Sequence, residues 1–316
     1  MTVKRVLVLG GNGFIGSNLV IGLLRAGLEV RVLDLRREPA LARSSAVELI
    51  EGDFTNRAQS EAAVDGVDAV FHLASVTTPA SGTSNPVYDV TENLLGTLRL
   101  LEACVARGVR RLVFISSGGT VYGTPHRVPI TEDHPQDPIN SYGIVKLAIE
   151  KYLGMYAHLG RLDPIVLRVA NPYGPGQFTQ GAQGAVAVAL GCIHRGEPFR
   201  LWGDGSVVRD FLYVDDLTEA FLAALRAPSG EPRVFNIGSG CGVALRDMLA
   251  ASERIAGRTL TIEQLPGRSI DVPANVLDCT RARHLLGWGP RVSLDEGLAR
   301  TWKWIVGNTP HRTTPA

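Results

Sequence analysis

The sequence lacks a long apolar run. None approaches the roughly 18 residues that a membrane-spanning helix needs, so no membrane partner is expected. Lys4-Arg5 leads into only a short apolar stretch before Gly10, too short to read as a secretory signal. Charge imbalance is also missing: 32 Lys and Arg face 31 Asp and Glu, for a net charge of +1. That excludes nucleic-acid or membrane-surface binding driven by bulk charge, and no nucleic-acid partner is expected. Arginine greatly outnumbers lysine, but the arginines are scattered. Only four cysteines occur, Cys104, Cys192, Cys241 and Cys279, and no pair has metal-ligand or redox spacing. They read as small buried hydrophobes in a reducing compartment, with no metal site. A soluble cytoplasmic protein is the expectation.

What is present is an ordinary enzyme-like composition, 45% hydrophobic and 20% charged. Up to about residue 170, short apolar runs alternate with amphipathic stretches. Residues 5–9, 30–33, 47–51, 69–73, 112–116 and 165–169 read as strands, each ahead of a loop or a helical pattern. Buried strands alternating with helices imply an α/β fold: a doubly wound Rossmann parallel sheet covered on both faces. The regularity fades after Asn171. Residues 171–184 read as a long functional loop, and helical patterns follow at 185–195, 214–227 and 245–255. The expected division is a Rossmann domain over 1–170, completed by a later strand near 233–237, and a smaller substrate lobe over 171–316. The polar tail 309–316 reads as frayed.

Gly10, Gly13 and Gly16 space as G-x-x-G-x-x-G between a predicted strand and a predicted helix. Gly10 permits the tight turn, Gly13 lets backbone approach a pyrophosphate, and Gly16 lets helix and strand pack closely. Phe14 and Ile15 open the helix, whose free amides and dipole favour anions. Asp34 ends the second strand, where a carboxylate accepts hydrogen bonds from adenine-ribose hydroxyls and repels a 2′-phosphate. NAD is therefore the expected cofactor, with Arg36 and Arg37 keeping NADP as a minor option.

Tyr142 and Lys146 lie four apart in the helical segment 141–153 and so share a face. A nearby ammonium and a positive nicotinamide ring would favour the tyrosinate, which makes the pair a candidate general base. By itself such a pair is worth little. Its company is Phe114-Ile-Ser-Ser-Gly-Gly-Thr-Val-Tyr-Gly123, His72-Leu-Ala74, Asn93 and Asn171-Pro-Tyr-Gly174. With the glycine loop, this set resembles the extended branch of the short-chain dehydrogenase/reductase superfamily, and within it the nucleotide-sugar epimerases. The resemblance runs from Val6 to about Trp304.

The resemblance implies roles at matching positions. Asp53 and Phe54 match an adenine-contacting pair. Leu73, Ala74, Ser75 and Ser116 match segments lining the cofactor, and Asn93 matches a buried asparagine supporting strand and lysine. In the second lobe, Asn171, Gln183, Arg209 and Arg268 match substrate contacts, the two arginines as a diphosphate clamp. Trp202 matches a large side chain packed on the nucleobase. Asn275 matches a gate; its moderate size keeps N-acetylated hexoses open beside glucose and galactose. Asp215 and Asp216 precede a helical run and read as N-caps.

Two departures bear on chemistry. The hydroxyl that the family carries four residues before the tyrosine of V-Y-G is replaced by Gly118. Ser117 is the favoured substitute and Thr120 the alternative. Thr120 also stands where related dehydratases and decarboxylases resemble a glutamate, which argues against those activities. Phe178 would leave a sugar carboxylate poorly paired, which favours a neutral hexose over a glucuronate. The reading is NAD-dependent epimerisation at C4 of a nucleotide-activated hexose, UDP-glucose and UDP-galactose first. Tyr142 takes the 4-hydroxyl proton, and a 4-keto sugar turns before reduction from the opposite face. The alternatives are a 4-ketoreductase or other sugar-nucleotide oxidoreductase, a UDP-glucuronate 4-epimerase, and a non-catalytic NAD sensor. Relatives pair through two helices, so a homodimer is expected through 93–107 and 141–158.

Overall fold

The structure, a computed structural model, describes residues 3–35, 46–180, 184–230, 233–267 and 272–308. The chain opens with β1 (Arg5–Leu9), α1 (Phe14–Arg25), β2 (Glu29–Asp34), β3 (Val47–Glu51), α2 (Arg57–Val64) and β4 (Ala69–His72). Two short helices, α3 (Pro79–Ser84) and α4 (Pro86–Asp89), run into a π-helical segment, Val90–Leu95, and then α5 (Gly96–Ala106). Next come β5 (Arg111–Ser117), α6 (Ser141–His158), β6 (Asp163–Val169) and β7 (Asn171–Tyr173). The rest comprises α7 (Ala185–Arg195), β8 (Phe199–Trp202), β9 (Val208–Tyr213), α8 (Val214–Arg226), β10 (Val234–Ile237), β11 (Gly242–Ala244) and α9 (Leu245–Ala256). It closes with β12 (Ile262–Leu265), β13 (Ala274–Asn275), α10 (Thr280–Leu286) and α11 (Leu294–Asn308).

Seven strands form one parallel sheet in the order β10-β6-β5-β4-β1-β2-β3. Strands β1, β4 and β6 are buried along nearly their whole length because helices cover both faces, which is why they read as continuous apolar runs. One face packs α1 and α8 around Leu19, Val20, Leu217 and Phe221. The other packs α2, α5 and α6 around Ala63, Leu100, Leu101, Ile149 and Leu153. Strand order reverses between β1 and β4, so the crevice beyond their carboxyl ends is the natural ligand position of a doubly wound sheet.

A third core joins α7, α9 and α11 to β8 and β9 through Leu190, Phe211, Met248 and Leu298. Here four short strands, β7, β9, β11 and β13, hydrogen-bond together, and β8 pairs with β12. The stretch from 171, expected to be loop, therefore begins with a strand. Asn171–Tyr173 pairs with residues 211–213, a partner forty residues away that local composition cannot reveal. Asp215 and Asp216 are not N-caps. They fall in the first turn of α8, and the Asp216 carboxylate accepts the Arg291 and Val292 amides. Of the four cysteines, Cys241 is exposed, because it sits in the polar turn held by Ser239. Among the described residues no helix is long and apolar enough to cross a membrane, and no cluster of metal-ligating side chains occurs. The tail 309–316 lies outside the described residues.

Candidate active site

The glycine loop leaves β1 and enters α1 with Gly13 as its N-cap and no side chain capping the helix. The amides of that first turn are left for an anion. Gly10 has φ +78°, and a Cβ there would lie 3.0 Å from the Ala74 amide nitrogen. A Cβ on Gly16 would meet the Gly10 carbonyl oxygen at 2.1 Å. Only glycine lets these backbones approach, which fits a pyrophosphate cradle. Asp34, at the end of β2, accepts the Asn12 amide at 2.9 Å, so its carboxylate stands at the glycine loop, as expected of a ribose-binding acid. Asp53 follows β3 beside it, with Gly52 N donating to the Asp34 carbonyl and Asp53 Oδ1 accepting from Thr55 N. Phe54 is buried against His72, in the core rather than at a ligand surface.

A cavity of about 1120 Å³ opens from the loop across the sheet's carboxyl edge to the second lobe. Phe14, Ile15, Leu73, Ser75, Ser116, Ser117, Tyr142 and Lys146 line it from the sheet side, and Asn171, Trp202 and Arg209 from the lobe. Asn140 caps α6 by accepting the Gly143 amide, which sets Tyr142 in the first turn. Lys146, one turn on, donates to the Ile115 carbonyl at 2.9 Å and lies 4.6 Å from the Phe114 ring centre. Its Nζ is 5.5 Å from the Tyr142 ring centre. Burial pushes the Tyr142 phenol up to about 12, and the Asp89 charge adds to that. Burial also pulls the Lys146 ammonium down to about 8, against the opposing charges of Asp89 and Glu150. In the protein alone, burial and the Asp89 charge thus favour the phenol; the expected shift toward the phenolate needs the nicotinamide charge as well as the ammonium.

The missing hydroxyl has a steric explanation. A Cβ at Gly118 would lie 2.5 Å from Leu277 Cδ1 and 3.2 Å from the Arg168 carbonyl oxygen. Residue 118 thus faces the core. Ser117 lines the cavity; Thr120 does not, and its buried Oγ1 has no hydrogen-bond partner among the described residues. The Ser116 hydroxyl turns away into Glu150. Asn93 accepts the Val76 amide and donates to Thr77 and Asp89, so it supports the segment after β4 and does not touch Lys146.

In the second lobe, β8 alternates buried and exposed residues, and Trp202 stands 41% exposed in the cavity wall, not in the core. Arg209 also lines the wall, its guanidinium bridging the Val208 and Val272 carbonyls. Asn171 donates to the Asp210 carbonyl. Asn275 is buried with its Nδ2 on the Gly118 carbonyl, behind the cavity rather than in its lining. Gln183 and Arg268 lie outside the described residues. Phe178 is 73% exposed and is not among the residues lining the cavity. Its neighbours Gln177, Thr179 and Gln180 line the cavity, and the buried Gln177 Oε1 has no hydrogen-bond partner among the described residues. The sequence reading also missed Arg195, half-buried at the cavity wall on Glu197 and Thr179; a polar residue ending an apolar helix was its only signal.

Residues 6–238 match the NAD dependent epimerase/dehydratase family. Over 304 residues the chain is 39% identical to a UDP-glucose 4-epimerase of Mycolicibacterium smegmatis, covering 94% of this chain and 97% of that one. The crystal structure of UDP-glucose 4-epimerase from Thermotoga maritima with UDP-glucose superposes with a TM-score of 0.92 at 36% identity, covering 97% of this chain and 100% of that one. The UDP-glucose 4-epimerase from Thermus thermophilus in complex with NAD superposes at 0.90, with the same identity and coverage. The glycine cradle, the buried tyrosine–lysine pair and these likenesses over the whole fold agree: the chain belongs to the NAD dependent epimerase/dehydratase family.

Proposed function

We propose that this protein interconverts the C4 epimers of a nucleotide-activated hexose, UDP-glucose and UDP-galactose first, using tightly held NAD. The observation that carries the reading is a single cavity with Tyr142 and Lys146 on one wall and Asn171, Trp202 and Arg209 on the other. Residues 1–170 with the strand near 233–237 form the NAD-binding part in this reading, and 171–316 mainly the nucleotide-sugar lobe.

Bound NAD supplies the hydride acceptor for sugar C4 and a positive ring charge that favours the Tyr142 phenolate. Tyr142 then takes the proton of the sugar 4-hydroxyl and returns it at the end of the cycle. Lys146 holds its position through the Ile115 carbonyl and keeps a positive charge beside the phenol. Ser117 supplies the hydroxyl that shares the sugar oxygen, since residue 118 faces Leu277. Arg209 and Asn171 hold the diphosphate and Trp202 covers the base, so a 4-keto sugar can turn without leaving. The neutral side chains Gln177, Thr179 and Gln180 in the wall suit an uncharged hexose.

The test is incubation with a panel of nucleotide sugars, without added cofactor, followed by chromatography for the C4 epimer. Tyr142→Phe should lower the rate about 10²–10⁴-fold. Near-normal turnover in that variant, or a requirement for stoichiometric NAD(P)H, would sink the reading.

A homodimer is part of the proposal. Ile144, Tyr152, Met155 and Leu159 lie exposed along and just beyond α6. Val87, Tyr88, Val90 and Leu95 lie exposed on the segment packed beside it, which starts earlier than the 93–107 expected. Two such stripes suit a pairing of four helices. A monomer in sedimentation at micromolar concentration would refute it. The free cysteines support a reducing, cytoplasmic setting, which cell fractionation tests.

A further inference from the structure

Asp89 closes α4 and is 0% exposed. Its Oδ1 accepts from Thr77 Oγ1 and Asn93 Nδ2, both at 2.8 Å, and its Oδ2 accepts from Ser141 Oγ at 2.7 Å. All three donors are neutral. Among the described residues no Lys or Arg forms a salt bridge with it. A carboxylate buried on neutral donors alone is costly, and such groups persist where a charge is needed nearby.

What lies nearby is the first turn of α6. Ser141 is its first residue and immediately precedes Tyr142. Gly82 of α3 fills the gap between the two: a Cβ there would lie 2.6 Å from Asp89 Oδ2 and 3.5 Å from the Tyr142 amide nitrogen. Both α4 and the π-helical segment pack directly on α6. The other ionisable groups around the pair are accounted for. Glu150, one turn beyond Lys146 on α6, is neutralised by Arg168 of β6, with Nη2 to Oε2 at 2.6 Å. His72 of β4 is held neutral by burial, which pulls it down to about 3. Strand β5 sets the Phe114 ring and the Ile115 carbonyl against Lys146, and α3, Pro-Ala-Ser-Gly-Thr-Ser, carries no ionisable side chain. Asp89 is thus the buried anion with no salt-bridge partner whose field reaches both Tyr142 and Lys146.

We propose that Asp89 is the buried counter-charge of the Tyr142–Lys146 pair, fixing the first turn of α6 through Ser141 and holding Lys146 as a cation through space. It is a positioning residue and touches neither substrate nor cofactor. The assignment rests on the reading of Tyr142 as base and Lys146 as its partner. Its effect on the two groups has one sign: a negative charge favours the protonated form of each. The ammonium survives to higher pH, and the phenol is harder to ionise. Asp89 therefore shifts the whole working pH window upward.

The chain has four lysines, Lys4, Lys146, Lys151 and Lys303, and only Lys146 is buried. A ¹³Cε-lysine NMR titration of the protein with its bound cofactor can therefore follow Lys146 alone against three exposed references. In Asp89→Asn, the Lys146 midpoint should fall by about one pH unit or more, while the other three stay in place. Both limbs of the pH–rate profile should move down together. Ser141→Ala removes only the mechanical link and should lower turnover with the Lys146 midpoint retained. Should the amide not be accommodated, Asp89→Ser keeps a small acceptor and gives the same reading. An unmoved Lys146 midpoint in a folded Asp89 variant overturns the proposal. Failure of the epimerase reading would show separately, as activity in Tyr142→Phe, because the NMR readout needs no turnover.

Discussion

Replacing Arg168 by methionine tests whether the structure behind β5 is a stability element as well as a scaffold for the site. Arg168 is 2% exposed, and its guanidinium makes three contacts to Glu150: Nε to Oε1 and Oε2 at 3.1 Å each and Nη2 to Oε2 at 2.6 Å. Its Nη1 donates to the Tyr122 hydroxyl and the Glu132 carbonyl. The two charged side chains are each 3% exposed. With the cation gone, Glu150 keeps only the Ser116 hydroxyl and cannot recover water. The loss expected from stranding a buried charge is about 3–5 kcal/mol. By contrast, Arg254 and Asp295 pair at 2.8 Å with 63% and 64% exposure, and Arg254→Met should cost less than about 1 kcal/mol because solvent screens that pair. Urea unfolding followed by circular dichroism, with slopes compared, reads both values. The double variant Arg168→Met/Glu150→Leu removes both charges and should recover most of the single loss. A loss below about 1 kcal/mol for Arg168→Met, or a double variant no better than the single, would refute the reasoning.

Gly16→Ala must displace backbone, since its Cβ would lie 2.1 Å from the Gly10 oxygen and 2.7 Å from Gly11 Cα. NAD recovered from the denatured protein should fall at least about tenfold, equivalent to about 1.4 kcal/mol; full retention would count against the cradle. Trp202→Ala should raise KM roughly 5–150-fold, the worth of about 1–3 kcal/mol of base stacking, with kcat nearly unchanged. An unchanged KM would assign Trp202 to packing alone. Turnover should decline as pH rises through about 8, where Lys146 gives up its proton, the charged form being the one present below that value. A rate flat to pH 9.5 would show that the ammonium is not needed.

How much of this was legible in the sequence depends on how local each cause is. The cradle was legible because Gly10, Gly13, Gly16 and the helix they start are consecutive, and their chemistry follows from φ angles and free amides. Tyr142 and Lys146 were legible as a pair because four residues make one helical turn. The fold class followed from alternating apolar runs, since parallel strands buried on both faces cannot read otherwise. The lobe was legible in its helices, whose period is local, but not in β7, β9, β11 and β13, whose partners are set by tertiary pairing. Asp89 and the Glu150–Arg168 pair carried no signal, because a charged residue in a pattern reads as surface until its distant partners are known. Phe178 shows the mirror limit: position in a motif does not fix whether a loop side chain lines the cavity.

Gly118 is the sharpest case, because sequence comparison alone marks it as a defect. Its explanation sits at Leu277, 0% exposed and 159 residues away, occupying the space a side chain at 118 would need. The geometry makes two opposed predictions for the same strand end. Gly118→Ser should fail to improve turnover and should destabilise by about 1–3 kcal/mol, the usual range for overpacking, since the added atoms enter the core and not the cavity. Leu277→Ala costs about 2–5 kcal/mol alone by leaving a void, yet the double variant should be less unstable than the two losses added, because each change relieves the other. Ser117→Ala, which changes a residue in the cavity wall, should instead lower kcat at least tenfold, about 1.4 kcal/mol, with stability held within about 0.5 kcal/mol. If Gly118→Ser raised kcat while Ser117→Ala left it alone, the strand end would have to turn its other face to the sugar, and the assignment of the hydroxyl to Ser117 would fall.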